Sequence, residues 1–312
     1  MSVPDPIDAE LVLDFGKAFP GEAVIAYGFV EHGEPVFLTA PPAFAEVPFA
    51  RDVGKSGGSF ARSQTATPYE ATVRSPGPPF TSLEGLTIAH PMVQRLPEGE
   101  ILIVGSRCYP DERNGCIFSR DGRLVRRLQF GDGIESVQAT GTGEIWVSYC
   151  DEGVFGNYGW GGGKEPIGSS GLVCFDREGN VVWRFSSPGR GIVDCYVLNV
   201  AQDAVWAYYY TDFPLARIGH DRTVREWSTP VQGARALAVS DDFVLLYGSY
   251  SDRDQCWLGR LGEGRAKEIG IRRVIGDGAE LHAQFSMGRG PWLHLVANGR
   301  WWRVDARAAE EA

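Results

Sequence analysis

Carboxylates, imidazoles, tyrosines and an arginine recur in this chain at two kinds of place: just after a glycine turn, and just after an aromatic strand. Glu135 follows Gly133, Asp194 follows Gly191, Arg235 follows Gly233, and Glu280 and His282 follow Gly278. Thr87 and His90 come after Gly85. Behind the strands stand Tyr149, Asp151 and Glu152, then Tyr209, Tyr210 and Asp212, then Tyr250 and Asp252. If folding gathers these groups at one mouth, several kinds of chemistry become available. Crowded carboxylates raise one another's pKa and supply a general acid or base near neutral pH. Glu135, Asp194, Glu280 and His282 are the candidate catalytic groups on this basis. His90, Tyr149, Asp151, Glu152, Tyr210, Asp212 and Arg235 are the candidate ligand-binding groups, with Arg235 suited to gripping an anion with two parallel hydrogen bonds. The same oxygen-rich set suits a hard divalent cation such as calcium or magnesium.

Single members of this set have plainer explanations. Asp and Glu cap turns at strand ends in every β protein, and His90 precedes Pro91, where it can simply shape a turn. His32, His220 and His294 fall in loop, hairpin and strand settings and are not candidates. The signal is collective: polar residues occupy nearly every equivalent position at once.

Those positions are equivalent because the chain repeats a phrase. GDGIESVQATGTGEIWVSY, GRGIVDCYVLNVAQDAVWAYYY, QGARALAVSDDFVLLYGSY and GDGAELHAQFSMGRGPWLHLV each run from a glycine turn through two strands. CIFSRDGRLVRRLQF, LVCFDREGNVVWRF, LARIGHDRTVREWST and WLGRLGEGRAKEIG supply matching outer hairpins. Repeats of this kind stacked along a chain specify an all-β propeller of four-stranded blades. Five units lie between about residues 81 and 308, the last with three strands. LVLDFG from Leu11 supplies its fourth and closes the fold, while AVIAYGFV, PVFLTA and YEATVRS make a sixth unit. Six blades of about 52 residues result; five or seven stay open. The chain reads as a single propeller domain over 1–312 with loop insertions at 41–79 and 151–170. EIWVSY alternates apolar and polar residues, as a strand packed on one face does. Trp146, Trp206 and Trp292 recur at one blade position and Trp183 and Trp227 at another, which predicts packing between blades.

GLVCFDREGNVVWRF, from Gly171 to Phe185, resembles one repeat of quinoprotein-type propellers, whose hairpins carry a Gly…Asp…Gly…Trp pattern. The likeness stops at this unit and brings no cofactor with it. Over most of its length the chain resembles bacterial six-bladed propellers of the gluconolactonase, NHL and YncE-like types. Gluconolactonase-type propellers hold a metal through acidic and amide side chains at the channel mouth, and Glu135, Asp194 and Asn199 have the matching residue types. The resemblance covers the fold; the polar mouth built from Glu135, Asp194, Arg235, Glu280 and His282 suits a propeller that binds or transforms a small polar molecule, by hydrolysis, ring opening, isomerisation or cyclisation. The alternative is a non-catalytic scaffold whose rim binds another protein.

Composition narrows the partners. A formal charge of −10 opposes nucleic acid or an anionic membrane as partner. Arginine outnumbers lysine 26 to 4, a usage typical of GC-rich bacterial genomes. The N-terminal residues lack the basic and apolar regions of a signal peptide, and no apolar run reaches membrane-spanning length. Six cysteines without CxxC or zinc spacing read as buried reduced thiols, so a cytoplasmic protein is expected. VGKSGG at 53–58 lacks both the leading glycine and the following helix of a phosphate loop.

Overall fold

The structure, a computed structural model, describes residues 6–53, 57–75, 77, 79–187 and 191–311. Residues 54–56 of the VGKSGG segment lie outside them. Six sheets, each built on four antiparallel strands, make a six-bladed β-propeller. The chain divides into two compact units. The early unit comprises Phe19–Val30 and Glu34–Asp194, and the late unit Met1–Ala18, Glu31–Gly33 and Cys195–Ala312.

In the early unit, blade 1 orders Ala23–Phe29, Pro35–Ala40, Gln64–Arg74 and Thr81–Ile88 from its inner to its outer strand. Blade 2 follows with Pro91–Arg95, Ile101–Gly105, Gly115–Phe118 and Leu124–Leu128. Blade 3 has Ile134–Ala139, Ile145–Tyr149, Leu172–Phe175 and Val181–Arg184.

The late unit continues with blade 4, whose strands are Asp194–Val200, Ala204–Tyr210, Leu215–Gly219 and Val224–Trp227; Asp194 itself clusters with the early unit. Blade 5 has Ala236–Ser240, Phe243–Tyr247, Gln255–Leu261 and Ala266–Gly276. Blade 6 has Phe285–Arg289, Trp292–Ala297 and Arg300–Asp305, and takes its outer strand, Glu10–Asp14, from the N-terminus. The expected closing strand is therefore present, with Leu11 opposite Trp302 and Leu13 opposite Trp301.

Strand alternation builds the core. In the apolar run ILIVG, Ile101 and Ile103 face blade 1, where Leu38, Val73 and Leu83 wait, while Leu102 and Val104 face Val137, Val147 and Phe175 of blade 3. In FVLLY, Phe243, Leu245 and Tyr247 pack toward blade 6, and Val244 and Leu246 toward Trp206 and Leu215 of blade 4. Second strands are thus buried on both faces. This corrects the one-face reading of EIWVSY, in which every residue from Ile145 to Tyr149 is buried. Each such side chain contributes about 1.5–3 kcal/mol relative to exposure. Trp206 enters the core between blades 4 and 5 and lies 5.8 Å from Trp227 of its own blade; Trp146 and Trp183 make the same pairing at 5.3 Å. The tryptophans thus also pack across the face of one blade, with the second strand's ring beside the outer strand's.

Inner strands approach closely, and buried amides tie their ends. A Cβ on Gly28 would stand 2.0 Å from the Val93 carbonyl oxygen, and one on Gly288 1.6 Å from that of Leu237. Asn199 Nδ2 donates to the carbonyls of Leu237 (2.7 Å) and Gly290 (2.9 Å), and its Oδ1 accepts from the Gly290 N–H (2.6 Å). Gln94 Oε1 likewise accepts from the Ala139 N–H at 3.2 Å. Carbonyls and N–H groups that leave the sheet ladder in the interior need such partners.

The insertions are structured. Residues 41–79 hold two short 3-10 turns, a hairpin pairing Arg51–Val53 with Ser59–Ala61, and the whole of the long strand Gln64–Arg74. The second insertion opens with a helix, Asp151–Phe155. A terminal helix, Ala306–Glu311, follows the last strand and has no counterpart in the sequence reading. No disulfide joins the six cysteines, of which all but half-buried Cys150 are buried. Among the described residues no helix is long and apolar enough to cross a membrane.

Candidate functional site

Around blade 3 of the early unit, the turn into the inner strand and the loop after the second strand fold against each other. Gly131 and Gly133 both take positive φ, and a Cβ on Gly133 would stand 2.3 Å from the Gly153 nitrogen. That contact, with the Cys150 N–H donating to the Gly133 carbonyl (2.9 Å), docks helix Asp151–Phe155 on the strand that carries Glu135.

Three carboxylates are electrostatically coupled there, Glu135 to Asp194 and Asp194 to Asp151. Glu135 stays accessible to water while hemmed in by protein; desolvation, then repulsion from Asp194, raises its pKa from 4.5 to about 7. Asp194 is half-buried, and desolvation followed by repulsion from exposed Asp151 brings it to about 6. These acids titrate at and just below neutral pH, where proton donors and acceptors can act.

Glu152, next along the helix, belongs to a second cluster. Arg107 pairs with Asp132 (Nη2 to Oδ2, 3.0 Å) and with Glu152, and its guanidinium stands 4.2 Å from the centre of the Tyr158 ring. Asp132 is buried and accepts from the Cys108 N–H at 3.0 Å; burial, only partly offset by Arg107, raises it to about 6. Burial opposes the charge on Arg107, but Asp132 and Glu152 outweigh it and raise its pKa. Asn157 Nδ2 donates to Glu152 at 2.9 Å, and Trp160 Nε1 to the Cys108 carbonyl at 2.7 Å. His90 occupies the turn between blades 1 and 2 with φ 47°, its ring edge-on to Phe49 at 5.8 Å. Burial, then the charges of Arg51 and Arg107, lowers its pKa, so His90 is neutral at pH 7.

The late unit holds the other candidates. His282 Nδ1 lies 2.7 Å from Asp254 Oδ2, and this hydrogen bond raises the imidazole pKa. Among the described residues, Asp254, Glu280 and His282 are the one trio of potential metal donors within 4.8 Å of one another. Arg273 already pairs with Glu280 at 3.2 Å, and the Tyr247 hydroxyl donates to Asp254 at 3.1 Å. A hard cation does not fit beside that guanidinium. Arg235 is half-buried and reaches the Ala283 carbonyl at 3.5 Å. Tyr210 is exposed, and Asp212 takes φ 69° in the loop behind it.

Several expectations need correction. Tyr149 is fully buried, and its hydroxyl donates to the Phe130 carbonyl at 2.6 Å, so it anchors the turn and reaches no ligand. Asn199 is fully buried with its amide committed to backbone, which removes it as a metal ligand. Gly85 and Thr87 lie inside the outer strand of blade 1, not after a turn into an inner strand. Glu280 belongs to Ala279–Glu280, which pairs with the outer strand of blade 5, well before the inner strand of blade 6 begins at Phe285. Sequence reasoning missed Asp132, Arg107 and Arg51. Asp132 stood in view between two turn glycines; Arg51 had only a long polar insertion to signal it, and Arg107 lies in the loop after the second strand of blade 2 with no signal of its own.

No curated protein matches the sequence. The sequence model of the YxzG family matches residues 169–299, less than half of the chain. Among solved structures, a streptogramin B lyase aligns at 12% identity over 91% of this chain and 92% of its own, with a TM-score of 0.50. A catalytically inactive virginiamycin B lyase from Staphylococcus aureus, with quinupristin, aligns at 10% over 95% and 98%, TM-score 0.48. The β-propeller domain of Cps50 (Swd1) from Myceliophteria thermophila aligns at 8% over 90% and 95%, TM-score 0.46. At these identities the likeness extends to the fold.

Proposed function

We propose that this propeller binds and transforms a small polar molecule at the blade 3 face of the early unit, with Glu135 and Asp194 as its acid–base pair. The observation that carries the reading is the coupled set Glu135, Asp194, Asp151, in which desolvation first and mutual repulsion second bring two acids to about 7 and about 6. One member can donate a proton while the other accepts, the arrangement that lactone opening, isomerisation and cyclisation all need. The streptogramin B lyase is named for a lyase activity, but only its fold is shared; the proposal stands on the carboxylates. Calcium or magnesium would relieve the repulsion among these carboxylates, although the three do not converge within 4.8 Å as Asp254, Glu280 and His282 do. A reducing, cytoplasmic setting accords with six cysteines that form no disulfide.

A metabolite panel screened by thermal shift, followed by turnover assays on the hits, tests this. Glu135→Gln should bind the hit within about twofold of the wild-type Kd yet lose turnover by roughly 10²–10⁴. The wild-type rate should fall off below about 6 and above about 7, with the two limbs belonging to the coupled pair. Wild-type turnover in both Glu135→Gln and Asp194→Asn would end the acid–base reading. A melting temperature indifferent to calcium, magnesium and chelator would end the cation part alone.

A further inference from the structure

Two insertions meet in the early unit around a cavity of about 580 Å³, within the range of small-molecule sites. The hairpin of Arg51–Val53 and Ser59–Ala61 forms one side, Asn157 and Tyr158 the other, and Arg107 and Tyr109 lie between them. A smaller cavity of about 270 Å³ adjoins it and shares Phe60, Ala61, Tyr109 and Tyr158. The Tyr158 hydroxyl donates to the Ala61 carbonyl and joins the two sides. Tyr158 also stands edge-on to Phe60 at 6.4 Å and tilted against Tyr109 at 5.1 Å. Phe60 and Tyr109 nonetheless remain 39% and 40% exposed, so each has ring surface left to cover.

The charges on these walls differ in kind. Arg107 is compensated by Asp132 and Glu152. Arg51 is not: its Nε donates to Ser59 Oγ and its Nη2 to the Ser59 carbonyl, both at 2.9 Å, and no carboxylate pairs with it among the described residues. The guanidinium is therefore held by its own hairpin, with Nη1 unspent and the Ser59 hydroxyl hydrogen available beside it. Neutral His90, nearby, adds no competing charge.

We infer that this cavity binds a planar aromatic ligand bearing one negative group, the anion resting on Arg51 and Ser59 and the ring lying against Phe60 and Tyr109. A carboxylate or phosphate accepts two hydrogen bonds from a pre-oriented guanidinium and hydroxyl, and the exposed rings supply the offset or edge contacts aromatic pairs prefer. The residues lining the cavity do not include Glu135, Asp194 or Asp151, so the ligand class stands independently of the acid–base reading above.

Calorimetric titration of the full chain with benzoate, phenyl phosphate, cyclohexanecarboxylate and benzamidine tests it. Benzoate and phenyl phosphate should bind, and their ranking tells which anion the site prefers. Cyclohexanecarboxylate should bind several-fold more weakly, and benzamidine, with an aromatic ring but the opposite charge, should not bind. Arg51→Ala should raise Kd at least tenfold, Arg51→Lys less, and Phe60→Ala several-fold. Both positions lie on an exposed hairpin, so melting temperatures should stay at wild type. Glu135→Gln should leave the affinity unchanged. Benzamidine binding as tightly as benzoate, wild-type affinity in Arg51→Ala, or no binding of either aromatic anion would each overturn the assignment. Full turnover in Glu135→Gln alongside lost binding in Arg51→Ala would remove the acid–base reading and leave the ligand class standing.

Discussion

Glu135 sits where two opposing demands meet: its carboxylate keeps contact with water, yet the protein around it and Asp194 beside it disfavour its charge. The consequence for stability has a definite sign. A native pKa near 7 against an ordinary 4.5 means that the folded chain keeps a proton the unfolded chain has released. Stability therefore falls as pH rises through that window. Asp194 and Asp132, both near 6, add to the slope between about 4 and 6. His90, held below its ordinary 6.5, acts in the other direction, since the unfolded chain binds the extra proton there. Comparing Glu135→Gln with wild type cancels every group but the one replaced. The variant should match wild type in urea midpoint at pH 4.5 and exceed it at pH 8. Parallel losses in the two proteins would show that Glu135 carries no raised pKa. Tyr149 and Asn199, polar and beside the same strands, are by contrast spent wholly on backbone.

Among the secondary-structure elements, the second strands were the most legible. EILIVGS, EIWVSY, AVWAYYY, FVLLYGSY and PWLHLV all fall on them, because doubly buried strands must be continuously apolar or aromatic. Inner strands were read less well, since a glycine in sequence does not record which turn or strand it serves. Gly85 and Gly278 carry the same signal as Gly133, yet one lies in an outer strand and the other opens a short extra pairing. Gly28 and Gly288 went unnoticed for the opposite reason: they allow neighbouring inner strands to touch, which only a three-dimensional structure shows. Gly288→Ala places a methyl group 1.6 Å from a carbonyl oxygen in a packed core. It should lower unfolding stability by about 3 kcal/mol or more. Gly162→Ala, with nothing within 4 Å, should change it by less than about 0.5 kcal/mol. Equal denaturation midpoints for the two variants would refute the close-approach account. The cavity between the insertions had the weakest trace, because its hairpin is three residues a side and its arginines recur in no other blade.

For the molecule as a whole, closure depends on a few residues at the start of the chain. Ile7–Asp8 pairs in parallel with Val274 and Ile275 on the outer strand of blade 5. The Ala9 N–H then donates to the Ile275 carbonyl at 2.8 Å, and Glu10–Asp14 crosses to become the outer strand of blade 6. Glu10 and Arg303 add an ion pair at 2.7 Å, and the Phe15 N–H donates to the Gly299 carbonyl at 3.0 Å. One segment thus fastens two blades of the late unit and covers the edge of Arg300–Asp305. Deleting residues 1–14 should leave that strand with an unpaired row of N–H and C=O groups, a template for another chain. Tm should fall by roughly 5–10 °C, at about 2–4 °C per kcal/mol for chains of 150–250 residues. The truncated protein should also associate as its concentration rises, visible by light scattering. A synthetic peptide of residues 6–14 should restore both the Tm and the scattering of the full-length protein, because it needs only the ladder that Trp301 and Trp302 already present. A truncated chain that melts and scatters like wild type would mean that closure rests on blade packing instead of this strand.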